Sequence, residues 1–67
     1  MSRRDAIWQD AWRCQLLRPD KTVQSEFRGE HEATWWYENL TLTSGYHVRL
    51  QVRRAGEERF VTMKERS

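Results

Sequence analysis

Apolar and polar residues alternate with a period of two in three stretches, residues 11–18, 22–28 and 46–54. This alternation predicts β-strands that are buried on one face only. The mainly apolar side of the predicted strands comprises Trp12, Cys14, Leu16, Val23, Ser25, Phe27, Tyr46, Val48, Leu50 and Val52.

The first two strands are predicted to form a β-hairpin over residues 11–28. Between them stands a turn signal that begins with Pro19 and ends with Thr22. Because proline fixes φ near −65°, the turn is not type I′, and a four-residue loop built on a type I turn is favoured. Such a loop keeps the apolar residues on one face by pairing Leu16 with Ser25 and Cys14 with Phe27.

Residues 31–44 change to the period of an α-helix. Their apolar residues follow the i, i+3, i+4, i+7 spacing of an amphipathic helix, at Ala33, Trp36, Tyr37 and Leu40. Gly45 follows, and glycine is the residue best suited to the left-handed position just beyond a helix. We therefore predict a helix over 31–44 that ends at Gly45, with a frayed last turn because threonine and serine are poor helix formers.

A second hairpin is predicted over residues 46–64. Ala55 and Gly56 can form a two-residue turn, and a four-residue loop would preserve the same faces. With the shorter turn, the facing pairs are Leu50 with Val61, Val48 with Met63, and Arg53 with Glu58.

Together these elements predict one small α+β domain over residues 1–67. Its architecture is a two-layer ββαββ fold, in which one amphipathic helix packs on one face of a four-stranded antiparallel sheet. Residues 1–10 form either an N-terminal arm or a short helix that Ser2 would cap. The order of the strands in the sheet does not follow from the sequence.

The amino-acid composition indicates the cellular compartment of this domain. Cys14 is the only cysteine, so the chain has no internal disulfide, and no apolar run is long enough for a membrane span. Both features favour the cytoplasm. Ten of the twelve cationic residues are arginine, although the net charge is only +2. This bias reflects either the GC-rich codons of the genome or planar contacts to phosphate and carboxylate groups.

The sequence suggests neither a catalytic site nor a cofactor or metal site. Cys14 lies on the predicted buried face, where a lone cysteine usually behaves as a small apolar residue. His31 at the helix start and His47 on the opposite sheet face are not brought near it. Metal-binding motifs and glycine-rich phosphate loops are also lacking. We therefore expect a protein that is not an enzyme.

The first candidate surface is the open, polar face of the predicted sheet. Arginines surround one aromatic ring there, as in proteins that bind single-stranded nucleic acids. The competing interpretation is a solvated face on which long arginine stems cover Phe60. The residues proposed for nucleic-acid binding are Arg13, Arg28, Arg49, Arg53, Phe60 and Lys64.

The second candidate surface is the back of the predicted helix. Trp35 and Leu42 fall on the side opposite the apolar stripe, with Asn39 between them and Trp8 as a candidate neighbour. Tryptophan is enriched at the energetic centres of protein interfaces, so these four residues are candidate protein-binding anchors. Alternatively, the helix ends near Leu40, Leu42 folds underneath it, and Trp35 packs on the N-terminal segment.

The helix-to-strand unit Ala33-x-x-Trp36-Tyr37-x-x-Leu40-Thr41-x-x-Ser44-Gly45-Tyr46-x-Val48-Arg49-Leu50 resembles units in short proteins encoded by phages and prophages. That class includes the anti-CRISPR proteins. The resemblance implies a compact, non-enzymatic domain that binds and inhibits or modulates a host protein complex in the bacterial cytoplasm.

Three functional hypotheses follow. The first is a protein-binding module directed at a host protein, and the second is a nucleic-acid-binding module that uses the sheet face. The third is a structural homodimer that buries either the Trp35 surface or the edge of the sheet.

Overall fold

A computed structural model describes residues 9–67, and it has the predicted α+β architecture. The elements are β1 (Ala11–Leu17), β2 (Val23–Arg28), α1 (Glu30–Asn39), β3 (His47–Arg53) and β4 (Val61–Arg66). All neighbouring strands are antiparallel, and their order in the sheet is β2-β1-β3-β4. The two N-terminal strands and the two C-terminal strands are each a hairpin, and β1 and β3 join them at the centre. Residues 1–8, which make up most of the arm or short helix predicted over 1–10, lie outside the described residues.

The first hairpin confirms the predicted pairing of Leu16 with Ser25 and of Cys14 with Phe27. Its loop is one residue shorter than predicted, since the Arg18 amide donates to the Thr22 carbonyl at 2.8 Å. Lys21 takes a left-handed φ of 72° within this loop. A bulge between Leu16 and Leu17 then restores the register. A three-residue loop with a left-handed third residue is a common alternative to the four-residue form.

The core lies between α1 and the two central strands. Its fully packed cluster consists of Cys14, Ala33, Tyr37, Val48 and Leu50, and Trp12, Phe27, Trp36, Leu40 and Leu42 pack around it. The predicted helix stripe therefore faces the sheet. The indole of Trp36 stacks on the Phe27 ring, with centroids 4.4 Å apart and planes inclined by 12°. Stacking of this kind adds to the free energy that burial of the rings contributes.

The helix ends at Asn39, five residues before the predicted end. The backbone of Leu40 is extended, with φ −66° and ψ 131°, and its amide donates to the Trp36 carbonyl at 3.0 Å. Gly45 is therefore not the residue that terminates the helix, and the prediction for it was wrong. It has φ 86° in a turn closed by the Tyr46 amide and the Thr43 carbonyl, just before β3.

Arg66 of β4 replaces the missing helix cap. Its Nε donates to the Tyr37 carbonyl at 2.8 Å, and its Nη2 donates to the Leu40 carbonyl at 2.6 Å. The last carbonyls of a helix have no partner within the helix, so a cation there satisfies them and also matches the helix dipole. The guanidinium lies 5.7 Å from the centroid of the Tyr37 ring as well.

The predicted register of the second hairpin was wrong. Val52 rather than Leu50 faces Val61, and a bulge between Leu50 and Gln51 then places Lys64 opposite Leu50. The strands are joined by residues 54–60 rather than by two residues. The Ala55–Gly56 turn exists inside this loop, where the Asp10 carboxylate accepts from the Ala55 amide at 2.7 Å. This anchor to the start of β1 stabilises the longer loop.

The new register also changes which side chains of β4 meet the core. Met63 does not face Val48, which pairs with Arg66 instead. Met63 is 46% exposed and Val61 is 63% exposed. The apolar residues of β4 therefore contribute little to the core, and Arg66 provides the contact of this strand with α1.

Candidate functional site

The open face of the sheet collects most of the arginines predicted for nucleic-acid binding. Arg13 of β1 lies directly opposite Arg28 of β2 and opposite Gln51 of β3. Two residues further along β1, Gln15 lies opposite Arg49. Side chains of directly paired residues point to the same face of a sheet. The strand register thus places these arginines on one surface, away from α1.

One hydrogen-bonded chain crosses this face through Arg13. Its Nε donates to Oε1 of Gln51 at 2.6 Å, and Nε2 of Gln51 donates to Oγ1 of Thr62 at 3.0 Å. Gln51 is only 6% exposed, so its amide depends on these partners. These hydrogen bonds hold the stem of the Arg13 side chain on the sheet and leave the outer guanidinium nitrogens for other contacts.

A second series of hydrogen bonds runs through Gln15. Nε of Arg49 donates to Oε1 of Gln15 at 2.8 Å, and Nε2 of Gln15 donates to Oε1 of Glu26 at 2.7 Å. The other oxygen of Glu26 accepts from Nε of Arg28 at 2.6 Å. The Gln15 hydrogen bond, followed by that of Arg28, lowers the pKa of the Glu26 carboxyl. Glu26 is therefore ionised at neutral pH and is held by partners on both sides.

Phe60 lies next to the arginines, as predicted. The guanidinium carbon of Arg13 is 3.8 Å from the centroid of the Phe60 ring, and that of Arg53 is 5.8 Å away. Phe60 is half-buried rather than freely exposed. Contacts of this type hold a guanidinium next to an aromatic ring, and arginine side chains can also stack on planar groups.

Like charges are concentrated on this face. Burial lowers the pKa of the Arg13 guanidinium, and the positive charges of Arg49 and Arg28 lower it further, although Glu26 opposes them. Like charges directly opposite each other destabilise a strand pair. An anion bound at the Arg13–Arg28 pair would relieve this repulsion. Towards the other end of the face, Glu65 balances part of the charge and lies 3.6 Å from Nε2 of His47.

Lys64 does not belong to this face, in contrast to the prediction. The bulge in the second hairpin pairs it with Leu50, whose side chain is in the core beneath α1. Lys64 therefore lies at the edge of the sheet on the helix side. Arg28, Arg49, Arg53 and Phe60 remain with Arg13 as the residues that the sheet brings together.

The helix surface contains only part of the second predicted site. Leu42 lies in the connection after α1, is half-buried and packs on the core, so it is not an exposed anchor. Asn39 is exposed, but its Nδ2 donates to the Trp35 carbonyl at 2.7 Å and stabilises the end of the helix. Trp8 lies outside the described residues.

Trp35 itself is exposed, with 49% of its surface accessible. The edge of its ring meets Trp36 at a centroid distance of 4.9 Å and an interplanar angle of 82°. The helix around it carries Glu30, Glu32 and Glu38 and no lysine or arginine. The helix layer is therefore acidic and aromatic, whereas the open sheet face is rich in arginine.

The side chains considered for catalysis, Cys14, His31 and His47, lie in different parts of the fold. Cys14 is fully buried, and burial raises the pKa of its thiol to about 11. The thiolate is the reactive form of cysteine, so Cys14 is unreactive at neutral pH. His31 is exposed at the start of α1, and His47 lies on β3 beside Glu65. Among residues 9–67, no group of three His, Cys, Asp or Glu residues could hold a metal ion.

One feature of the surface was not predicted. A cleft of about 680 Å³ lies at one end of the sheet, between the loop of the first hairpin and the connection from α1 to β3. Arg18 and Lys21 line it, and neither was among the predicted site residues. The sequence does not predict this cleft. Lys21 takes a left-handed conformation that normally favours glycine or asparagine, so the residue type does not reveal the shape of the loop.

Comparison of the chain with protein-family models, with curated proteins and with solved structures finds no match. Within residues 9–67, no helix is both long and apolar enough to cross a membrane.

Proposed function

We propose that this protein is a non-catalytic module that binds single-stranded nucleic acid on the open face of its sheet. The observation that carries this proposal is the direct pairing of Arg13 with Arg28, with Arg49 and Arg53 on the same face. Arginine matches phosphate oxygens with two parallel hydrogen bonds. Glu26 already offsets part of this charge through Arg28, and a polyanion would add favourable contacts to the remaining positive charge.

The single strand is favoured over a duplex by the geometry around Phe60. The Arg13 guanidinium carbon lies 3.8 Å from the centroid of the ring, and its Nε donates to Gln51, so the side chain is held in place on two sides. Unpaired bases stack on arginine planes as well as on aromatic rings, whereas the bases of a duplex are already stacked on each other. The sheet face therefore offers both a stacking surface and contacts for the backbone.

The test is the affinity for a labelled oligothymidylate of about twelve nucleotides, a length that covers a typical single-strand site. Three to four phosphate contacts predict a log–log salt slope of about −2 to −3. Arg49→Gln should weaken binding several-fold and reduce the slope by about 0.7. Lys64→Gln removes the same charge from the helix side and should leave the slope unchanged.

Two outcomes would refute this function. One is binding that does not respond to salt, because phosphate contacts release counterions. The other is an equal loss of affinity in Lys64→Gln and Arg49→Gln, because binding would then follow the net charge and not the sheet face.

The second candidate function is protein binding through α1, and it is favoured by the exposure of Trp35. The partner would be a host protein in the bacterial cytoplasm if the resemblance to phage proteins holds. An exposed tryptophan held in one orientation by a neighbouring ring loses little conformational entropy on binding. The homodimer, which would bury the same ring, remains a third hypothesis that the mass in solution at increasing concentration tests.

The test of protein binding is quantitative capture from a bacterial lysate with the wild type, Trp35→Ala and Arg49→Gln in parallel. A specific partner should be lost with Trp35→Ala, since removal of an interface anchor costs about 2 kcal/mol or more. Arg49→Gln should retain that partner. Identical capture by all three proteins would contradict a role for Trp35.

A further inference from the structure

The cleft at the end of the sheet is formed by two loops that touch each other. One wall is the loop of the first hairpin, and the other is the connection from α1 to β3. A Cβ atom on Gly45 would lie 3.0 Å from Cγ of Pro19. The two loops are thus in close contact. Its volume of about 680 Å³ is within the range of small-molecule sites.

The lining of the cleft combines apolar surface with positive charge. Leu17, Pro19, Leu42 and Tyr46 provide apolar contacts. The cationic side chains are Arg18, Lys21 and Arg49, and none of the lining residues, all within the described part of the chain, has a carboxylate side chain. Glu65 lies outside the lining and faces His47 at 3.6 Å, so it offsets part of this charge. The remaining positive charge beside an apolar surface favours a ligand with an anionic head and an apolar body.

Lys21 is an exposed cation of the cleft. Among residues 9–67 it is the only residue other than glycine with a positive φ, which is 72°. The left-handed conformation is unfavourable for a residue with a Cβ atom, although it is usual for the third residue of a three-residue hairpin loop. The Lys21 side chain makes no hydrogen bond or ion pair within the described residues. The hairpin loop thus places at the cleft a cation that has no partner among the described residues.

We propose that this cleft binds a small organic anion with an apolar body, and that Lys21 contacts the anionic group. Arg18 is committed to the loop, because its Nη1 donates to Oγ1 of Thr22 at 3.2 Å and to the Val23 carbonyl at 3.3 Å. Lys21 is therefore the cation best able to meet a ligand. This inference does not rest on the proposed nucleic-acid binding. The two places share Arg49, but Lys21 and Arg18 line only the cleft, whereas Arg13 and Phe60 belong only to the sheet face.

The experiment is a titration followed by amide-resolved NMR with three probes that share one apolar body. They are 1-naphthoate, the neutral 1-naphthamide and the cationic 1-naphthylmethylammonium. Naphthoate should shift the amides of Lys21, Gly45 and His47 in a saturable manner. The neutral probe should bind about tenfold more weakly, a loss typical of one charge-assisted hydrogen bond, and the cation more weakly still.

Two variants of Lys21 separate its charge from its backbone strain. Lys21→Gln should weaken naphthoate binding about five- to tenfold, and the matched charge removal in Lys64→Gln should not. Lys21→Gly should lose the same affinity but raise the midpoint of thermal unfolding, because glycine removes the strain. This combination of lower affinity and higher stability would identify a strained residue retained for binding.

The proposal would be overturned by equal binding of the three probes, or by the absence of saturable shifts up to about 10 mM naphthoate, a concentration that detects even weak small ligands. Shifts centred on Arg13 and Phe60 would also overturn it, because they would place the anion on the sheet face. Arg13→Gln, which the nucleic-acid proposal predicts to be defective, should bind naphthoate normally. Failure of one proposal is therefore distinguishable from failure of the other.

Discussion

Replacement of Trp36 by alanine is expected to lower the free energy of unfolding by about 3 kcal/mol, whereas Trp35→Ala should change it by less than about 1 kcal/mol. Trp36 packs on the core and stacks on Phe27 at 4.4 Å, while Trp35 keeps 49% of its surface in solvent. Domains of this length have a total stability of only about 3–10 kcal/mol. Loss of the Trp36 stack therefore removes a large share of the total stability.

Urea unfolding followed by circular dichroism would measure both variants, and Trp36→Phe is the matched control. Phenylalanine preserves a ring that can stack on Phe27, so this variant should recover about half of the loss. Similar destabilisation by Trp35→Ala and Trp36→Ala would contradict the assignment of one ring to the core and the other to the surface. It would also remove Trp35 as a candidate for protein binding.

Replacement of Arg66 by methionine is expected to cost about 2–3 kcal/mol of stability. The variant keeps most of the apolar stem but loses the hydrogen bonds to the Tyr37 and Leu40 carbonyls. Hydrogen bonds from charged donors contribute about 1.5–3 kcal/mol, and the contact with the Tyr37 ring adds about 0.5–1 kcal/mol. The last turn of α1 should fray first, because its carbonyls would then lack protein partners.

Hydrogen exchange of the amides of α1, measured with urea unfolding, would separate this effect from general destabilisation. Arg66→Lys should recover only part of the stability, since one ammonium group cannot reproduce the forked geometry of guanidinium. Lys64→Met is the matched control, two residues away on the same side of β4, and should be nearly neutral. Full stability in Arg66→Met would show that solvent caps the helix equally well.

The local pattern predicted most of the fold. Alternation identified β1, β2 and β3. The predicted facing pair of Cys14 and Phe27 was confirmed. This register could be predicted because a one-residue slip would transfer every apolar side chain to the solvent face. The spacing of Ala33, Trp36 and Tyr37 likewise identified the buried side of the helix. These predictions depend only on residues close in sequence.

The candidate sites were less predictable, because they depend on where elements end. Leu42 belongs to an exposed anchor if the helix continues beyond it, and to the core if the helix stops at Asn39. A single bulge in the second hairpin moves the Lys64 side chain from the open face of the sheet to the helix side. Neither alternative violates a local rule, so the sequence pattern could not choose between them.

The sequence by itself therefore determined the types of the elements, their apolar faces and the α+β class, since periodicity within a short segment is sufficient for each. The tertiary structure alone decided the end of α1, the register of β4 and the position of the cleft. A helix end is stabilised by Arg66 from a distant strand, and the long loop by Asp10 from the start of β1. Such partners are far apart in the chain, and only folding brings them together.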